Sequence, residues 1–364
     1  MFKRPAVLFL LLVFCLLPSS VHAADLDVMI GQMLMAGFRG FTADENSRIA
    51  RDIRDYHLGG VVLFDYDVLL GKAERNIKSP EQVKNLNRAL QSYAEIPLFI
   101  GVDQEGGKVQ RLKKAYGFHE TPSAKNICSS GEFKVRASGY MAGSTLSAGG
   151  FNLDFAPVVD VDVAPDSPVI GKLERSFSSD PEKVTRCAEI FMGELKRSQV
   201  LSCIKHFPGH GSAGSDSHEG LTDVSNTWTE TELIPYRKLI ARGQVPMIMT
   251  AHIFNTNLDP DYPATLSHKV ITGLLRQDLG YEGVVITDDM TMGAITEFYG
   301  QNEAIRLAIE AGADILLFGN NLQYDENIVG KAHAAIKQLV EEGKIPEERI
   351  VKSFERIQRL KTSL

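Results

Sequence analysis

The chain is short of the features that mark several protein classes. Its 364 residues hold one tryptophan and four cysteines, and its lysines and arginines never gather into runs. A mildly acidic chain without basic runs is a poor partner for nucleic acid. The cysteines follow no zinc-ligand spacing. Cys128, Cys187 and Cys203 are expected as buried free thiols, the common state of unpaired cysteine, rather than as one disulfide with a thiol left over. No Gly/Ser/Pro-rich linker interrupts the chain. No apolar stretch reaches the ~20 residues that a membrane-spanning helix needs.

What is present begins with a leader. Lys3 and Arg4 precede an apolar run from Ala6 to Leu17, and Val21-His22-Ala23 places small residues at the −3 and −1 positions. The pattern is that of a secretory signal peptide over residues 1–23, cut after Ala23. A secreted or periplasmic protein is expected, with no stable membrane span after cleavage. Loss of Lys3 and Arg4 takes the formal charge from −7 to −9. The remaining 24–364 segment is long for an average domain but ordinary for an α/β barrel.

Short apolar, β-rich runs recur along it: Ile30–Phe38, Val61–Phe64, Leu98–Val102, Leu153–Val159, Leu201–Ile204, Met247–Ala251, Val284–Thr287 and Ile315–Phe318. Near-continuous rather than alternating apolar character marks strands buried on both faces, as in parallel sheets. Helical punctuation lies between them. Ser79-Pro80 opens a helix. Thr229 to Glu232 has the form of a capping box. Ser267 and Gly280 bracket another helix. Eight strand–helix repeats predict a single (β/α)₈ barrel, with an open doubly wound sheet as the alternative. Asp103, Asp160, Lys205-His206, His252 and Asp288 each follow a predicted strand, and such convergence from several strands favours the barrel.

Three segments carry candidate chemistry. Lys205 to His218 is a loop rich in glycine and histidine. His206 and His210 share the four-residue spacing of a helical metal pair, but Pro208 and Gly209 break that helix, so no metal is expected. Asp216 and His218, two apart, point the same way in extended chain. There a carboxylate can fix the imidazole tautomer and leave the other nitrogen to exchange a proton. In isolation the same pair reads as a loop turn and an exposed histidine, and only the surrounding segments reverse that reading. Asp288-Asp289 ends an apolar strand, where adjacent carboxylates are costly unless used or paired. One is expected to face the barrel mouth while the other braces a loop. Asp103 to Arg111 turns at Gly106-Gly107 and returns Arg111 towards the mouth. With Arg175 it supplies acids and guanidinium groups suited to sugar hydroxyls. Either arginine alone reads as a solvated surface charge.

Taken in order, Asp103-Gln-Glu-Gly-Gly, Arg175-Ser-Phe, Lys205-His206-Phe-Pro-Gly-His-Gly with Asp216-Ser-His218, and Thr287-Asp288 resemble the family 3 glycoside hydrolases, specifically the β-N-acetylglucosaminidases of the NagZ type. The resemblance covers nearly the whole segment after the leader. It implies a TIM barrel without cofactor and a retaining mechanism. Asp288 would be the nucleophile, and Asp216 with His218 the acid–base pair. Asp103, Arg111, Arg175, Lys205 and His206 would bind the terminal sugar. The implied substrates are peptidoglycan fragments or chito-oligosaccharides ending in β-linked N-acetylglucosamine. The alternatives are a β-glucosidase or xylosidase of the same family, and an exported sugar-binding protein without catalysis. Ser212-Ala213 and Lys108 depart from the family pattern at positions without assigned chemistry. The leader departs from the cytoplasmic habit of many single-domain members.

Overall fold

A computed structural model describes residues 24–73, 75–215, 220 and 222–364. The leader, Asp216 and His218 lie outside them. Eight parallel strands form the core: β1 (Leu34–Gly37), β2 (Gly60–Val62), β3 (Phe99–Val102), β4 (Leu153–Asp154), β5 (Leu201–Phe207), β6 (Met247–Thr250), β7 (Val284–Ile286) and β8 (Leu316–Phe318). Each pairs with the next in chain order from β1 to β7, and β8 pairs back onto β1 with Leu34 beside Leu316. The remaining seam, β7 to β8, is closed by a parallel bridge between Ile286 and Ile315, and Thr287 N–H donates to the Ile315 carbonyl at 3.0 Å. The sheet is therefore a closed (β/α)₈ barrel, as the run of buried strands predicted.

The barrel interior is tightly filled. A Cβ on Gly101 would lie 2.8 Å from the Met35 Cε and 3.0 Å from the Phe155 ring. Only glycine leaves room there for two large side chains, one from β1 and one just past β4. Crossover helices pack outside, among them Pro80–Ser92, Glu132–Ala148, Pro181–Arg197 and Gln301–Ala311. Ser79 caps the first of these by accepting the Gln82 N–H, with Pro80 in the first turn.

Four expectations need correction. Ile30 to Gln32 is the end of a helix, Leu26–Gln32, capped by Asp25, rather than the start of β1. The Leu153–Val159 run pairs regularly only over Leu153–Asp154; Pro157 has no N–H to donate, and pairing resumes at Val158 beside Lys205. Thr229 makes no side-chain cap, and Glu232 is buried away from it, accepting the Gly211 N–H at 2.8 Å. Cys128 and Cys187 form a disulfide and Cys203 is the buried free thiol. Their spacing gave no hint because the bridge joins the short helix Ala124–Ser129 to the helix Pro181–Arg197 across the outer layer.

Candidate active site

The C-terminal ends of the strands open onto a cavity of about 320 Å³. Asp103, Arg111, Arg175, Lys205, His206 and Asp288 all line it. Six residues spread across the sequence are thus brought together by strand ends, where barrel chemistry is placed.

Asp103 directly follows β3. The chain then makes an antiparallel ribbon, Gln104–Gly106 against Val109–Gln110, turning through Gly106 and Gly107 at φ 95° and 59°. The turn returns Arg111 to Asp103, with Arg111 Nη2 3.2 Å from Asp103 Oδ2. Lys205, within β5, places its Nζ 2.7 Å from Asp103 Oδ1 and 2.7 Å from Glu105 Oε1. Arg175 clamps Glu105 with two nitrogens, each at 2.7 Å. Arg175 Nη2 also lies 3.3 Å from His206 Nε2, and His206 Nδ1 lies 2.7 Å from Asp160 Oδ2. One continuous chain of polar contacts therefore runs Arg111, Asp103, Lys205, Glu105, Arg175, His206, Asp160.

This network explains how so many charges survive burial, which by itself disfavours every one of them. At Asp103 burial pushes the carboxyl up, but Lys205 and Arg111 outweigh it and hold the group far below the usual range. Glu105 is likewise held low against burial by Arg175 and Lys205. Burial opposes the charge on Lys205, and Asp103 with Glu105 overcome it, so the ammonium stays protonated. At Asp160 burial is again outweighed, here by His206. The Asp160 carboxylate only accepts and the Arg175 guanidinium only donates, which assigns the His206 proton to Nδ1 and leaves Nε2 as acceptor.

The two carboxylates after β7 divide their roles. Asp289 Oδ1 accepts the Thr291 N–H at 2.9 Å, the Thr291 hydroxyl at 2.7 Å and the Gly319 N–H at 2.8 Å. It fastens the β7 and β8 ends to each other. His252 supports the same turn, its Nε2 3.0 Å from the Asp289 carbonyl oxygen. Asp288 lines the cavity, and its Oδ1 accepts the Asp289 N–H at 2.8 Å.

The loop after β5 is staked at its base. Gly209 N–H donates to the His206 carbonyl at 2.8 Å, His210 N–H to Asp160 at 2.8 Å and Gly211 N–H to Glu232 at 2.8 Å. Ser215 Oγ, the last described side chain before Asp216, bonds Thr222 at 3.2 Å. Three contributors escaped sequence reasoning. Glu105 stands two residues from Asp103, and the period of an extended strand puts both on one face. Asp160 follows a strand in the sequence, but nothing there marks His206 as its partner. Asp154 is fully buried in β4, where burial pushes its carboxyl up to about 8; nothing in the sequence around it signals this.

A closed parallel barrel with a pocket of paired acids and cations at its C-terminal mouth has the arrangement of a barrel enzyme. The chain belongs to glycosyl hydrolase family 3, whose N-terminal domain model matches residues 25–360. It is 32% identical to beta-hexosaminidase A of Pseudoalteromonas piscicida, over 95% of this chain and 63% of that protein. It is 34% identical to an uncharacterized secreted glycosyl hydrolase of Arthroderma benhamiae, over 94% of this chain and 95% of that one. Among solved structures it is similar to a family 3 beta-N-acetylglucosaminidase from Paenibacillus sp. str. FPU-7, with a TM-score of 0.85, 38% identity, and coverage of 94% of this chain and 63% of that one. The chain thus spans less than two thirds of the Pseudoalteromonas and Paenibacillus proteins. Among the described residues no helix is long and apolar enough to cross a membrane.

Proposed function

We propose that the protein is an exported, retaining β-N-acetylglucosaminidase that removes terminal β-linked N-acetylglucosamine from peptidoglycan fragments or chito-oligosaccharides. The observation that carries this reading is the one cavity lined by Asp288 together with Asp103, Lys205 and Arg175, the last two held by the buried Glu105. Asp103 offers acceptors to sugar hydroxyls, while Arg111, Arg175 and Lys205 offer donors. Charged hydrogen bonds of this kind fix a polyhydroxylated ligand. Held in this way, the sugar presents its anomeric carbon to Asp288, the cavity carboxylate that does not share the bracing role of Asp289.

Asp288 attacks that carbon and forms a glycosyl-aspartate. His218, oriented by Asp216, gives its proton to the departing oxygen and then withdraws one from the water that releases the sugar. The names of the Pseudoalteromonas and Paenibacillus proteins support the acetamido sugar as substrate. The leader over residues 1–23 and the name of the Arthroderma relative support export. The domain then runs from residue 24 to 364.

The test compares 4-nitrophenyl N-acetyl-β-glucosaminide with the β-glucoside, using wild type and Asp288→Asn. Strong preference for the acetamido sugar, lost in the variant, is expected. Equal rates on the glucoside would transfer the reading to a glucosidase. A folded protein silent on both would be a sugar-binding protein.

A further inference from the structure

The turn after β2 holds apolar side chains out into water at the rim of the cavity. Tyr66, Val68, Leu69 and Leu70 are 43%, 47%, 53% and 51% exposed, respectively. Tyr66 and Val68 also line the cavity itself, so the exposed face is continuous with it. Four large apolar side chains grouped in one turn and left in water are unfavourable unless something covers them in use.

The turn is built to keep them there. Asp67, between Tyr66 and Val68, points inward and is fully buried with Arg75, its Oδ2 2.8 Å from Arg75 Nη1. Arg39 closes on the same carboxylate at 2.6 Å and 3.0 Å. The Tyr324 ring lies 3.8 Å from the Arg39 guanidinium carbon and 5.4 Å from that of Arg75. Asn321 accepts the Val68 N–H at 3.1 Å and donates to the Tyr66 carbonyl at 3.0 Å. Leu70 N–H donates to Asp67 at 3.0 Å. A buried ion pair adds little stability once its desolvation is counted, but it fixes one geometry. Here it prevents the turn from folding its apolar side chains inward.

The occupant is set by position. A cavity of about 320 Å³ is at the small end for ligands. A terminal sugar held against Asp103, Arg175 and Lys205 fills its depth, so whatever is attached to that sugar emerges over the rim. Of the side chains there, Tyr66, Val68, Leu69 and Leu70 carry no charge, and Asp65, which also lines the cavity, is paired with Lys113.

We propose that the Tyr66–Leu70 turn is the leaving-group platform of this site, and that it selects aglycones bearing an apolar face or alkyl substituent over bare sugars. The inference rests on the reading that the deep pocket holds N-acetylglucosamine. Tyr66 stacks on the first group beyond the scissile bond. Val68, Leu69 and Leu70 cover the more distant part of the aglycone.

Calorimetry with n-alkyl 1-thio-β-N-acetylglucosaminides, which are not hydrolysed, tests this from methyl to octyl. Wild type is expected to tighten by roughly twofold to fourfold in Kd per methylene that reaches the turn. A Leu69→Ser/Leu70→Ser double variant, altered at two exposed positions outside the cavity lining, should bind the methyl thioglycoside as wild type does and lose the dependence on chain length. A flat wild-type series, or an equal slope in the variant, overturns the platform. If the flat series accompanies a dimer that the variant dissociates, the face belongs to a second copy and the platform is again overturned. Hydrolysis of 4-nitrophenyl N-acetyl-β-glucosaminide is measured in parallel. Turnover without a chain-length slope removes the platform and leaves the enzymatic reading. A slope without turnover does the reverse.

Discussion

Arg175 grips both oxygens of Glu105, each nitrogen–oxygen contact at 2.7 Å, while the same carboxylate takes the Lys205 ammonium at 2.7 Å. Neither Glu105 nor Arg175 belongs to β5, yet together they hold the β5 lysine and histidine in place. Replacing Glu105 by Gln keeps the shape and removes the charge, leaving Arg175 and Lys205 with one carboxylate, Asp103, between them. Such a broken buried pair costs about 3–5 kcal/mol of stability. A large fall in melting temperature is expected, together with a rise in KM for the acetamido glycoside. Denaturation and steady-state kinetics on Glu105→Gln check it; wild-type values in both would remove the network from sugar binding.

Asp154 and Glu232 set a pH dependence of stability. Burial pushes them up to about 8 and about 7. In the fold they keep protons that the unfolded chain releases near pH 4, so the stability they contribute is complete below that pH. It is lost as the pH rises towards 7 and 8, at up to ~1.4 kcal/mol per pH unit for each proton. Asp103, Glu105 and Asp160, held low, act in the opposite sense and lose their contribution in acid. In Asp154→Asn the amide oxygen still accepts the Gln104 N–H that Asp154 takes at 3.0 Å. Chemical denaturation from pH 5 to 8 should show a shallower decline in this variant than in wild type. An unchanged slope would show that Asp154 is ionised in the fold.

The Cys128–Cys187 bridge closes a segment with a sequence separation of 59. A loop of that size is stabilised by about 2–4 kcal/mol when crosslinked. Neither cysteine lines the cavity. Cys128→Ser/Cys187→Ser should therefore melt well below wild type while keeping its turnover at lower temperature. Identical melting with and without reductant would place no stabilising bond there.

The barrel was legible because its strands are buried on both faces and read as apolar runs. The strand ends were legible with them, and so were Asp103, Arg111, Arg175, Lys205, His206 and Asp288, which share one cavity. Contacts made by distant segments were not legible. Glu232 has the spacing of a helix cap, yet it serves the loop after β5, because a buried carboxyl there meets the Gly211 N–H. The disulfide depends on two outer helices lying side by side, which no local pattern records. The Asp67–Arg75–Arg39 strut joins two connections of the barrel top, those after β1 and β2, and leaves no periodic mark.

The central claim is that Asp288 bonds to the anomeric carbon of an N-acetyl-β-glucosaminide. A slowly released fluorinated N-acetylglucosaminyl fluoride, added to wild-type protein and followed by peptide mass spectrometry, tests it most directly. One sugar per chain is expected, attached to Asp288, with activity lost in step with labelling and recovered as the adduct hydrolyses. A sugar bound to any other residue, or full turnover of the reagent with no adduct and an active Asp288→Asn variant, would contradict it.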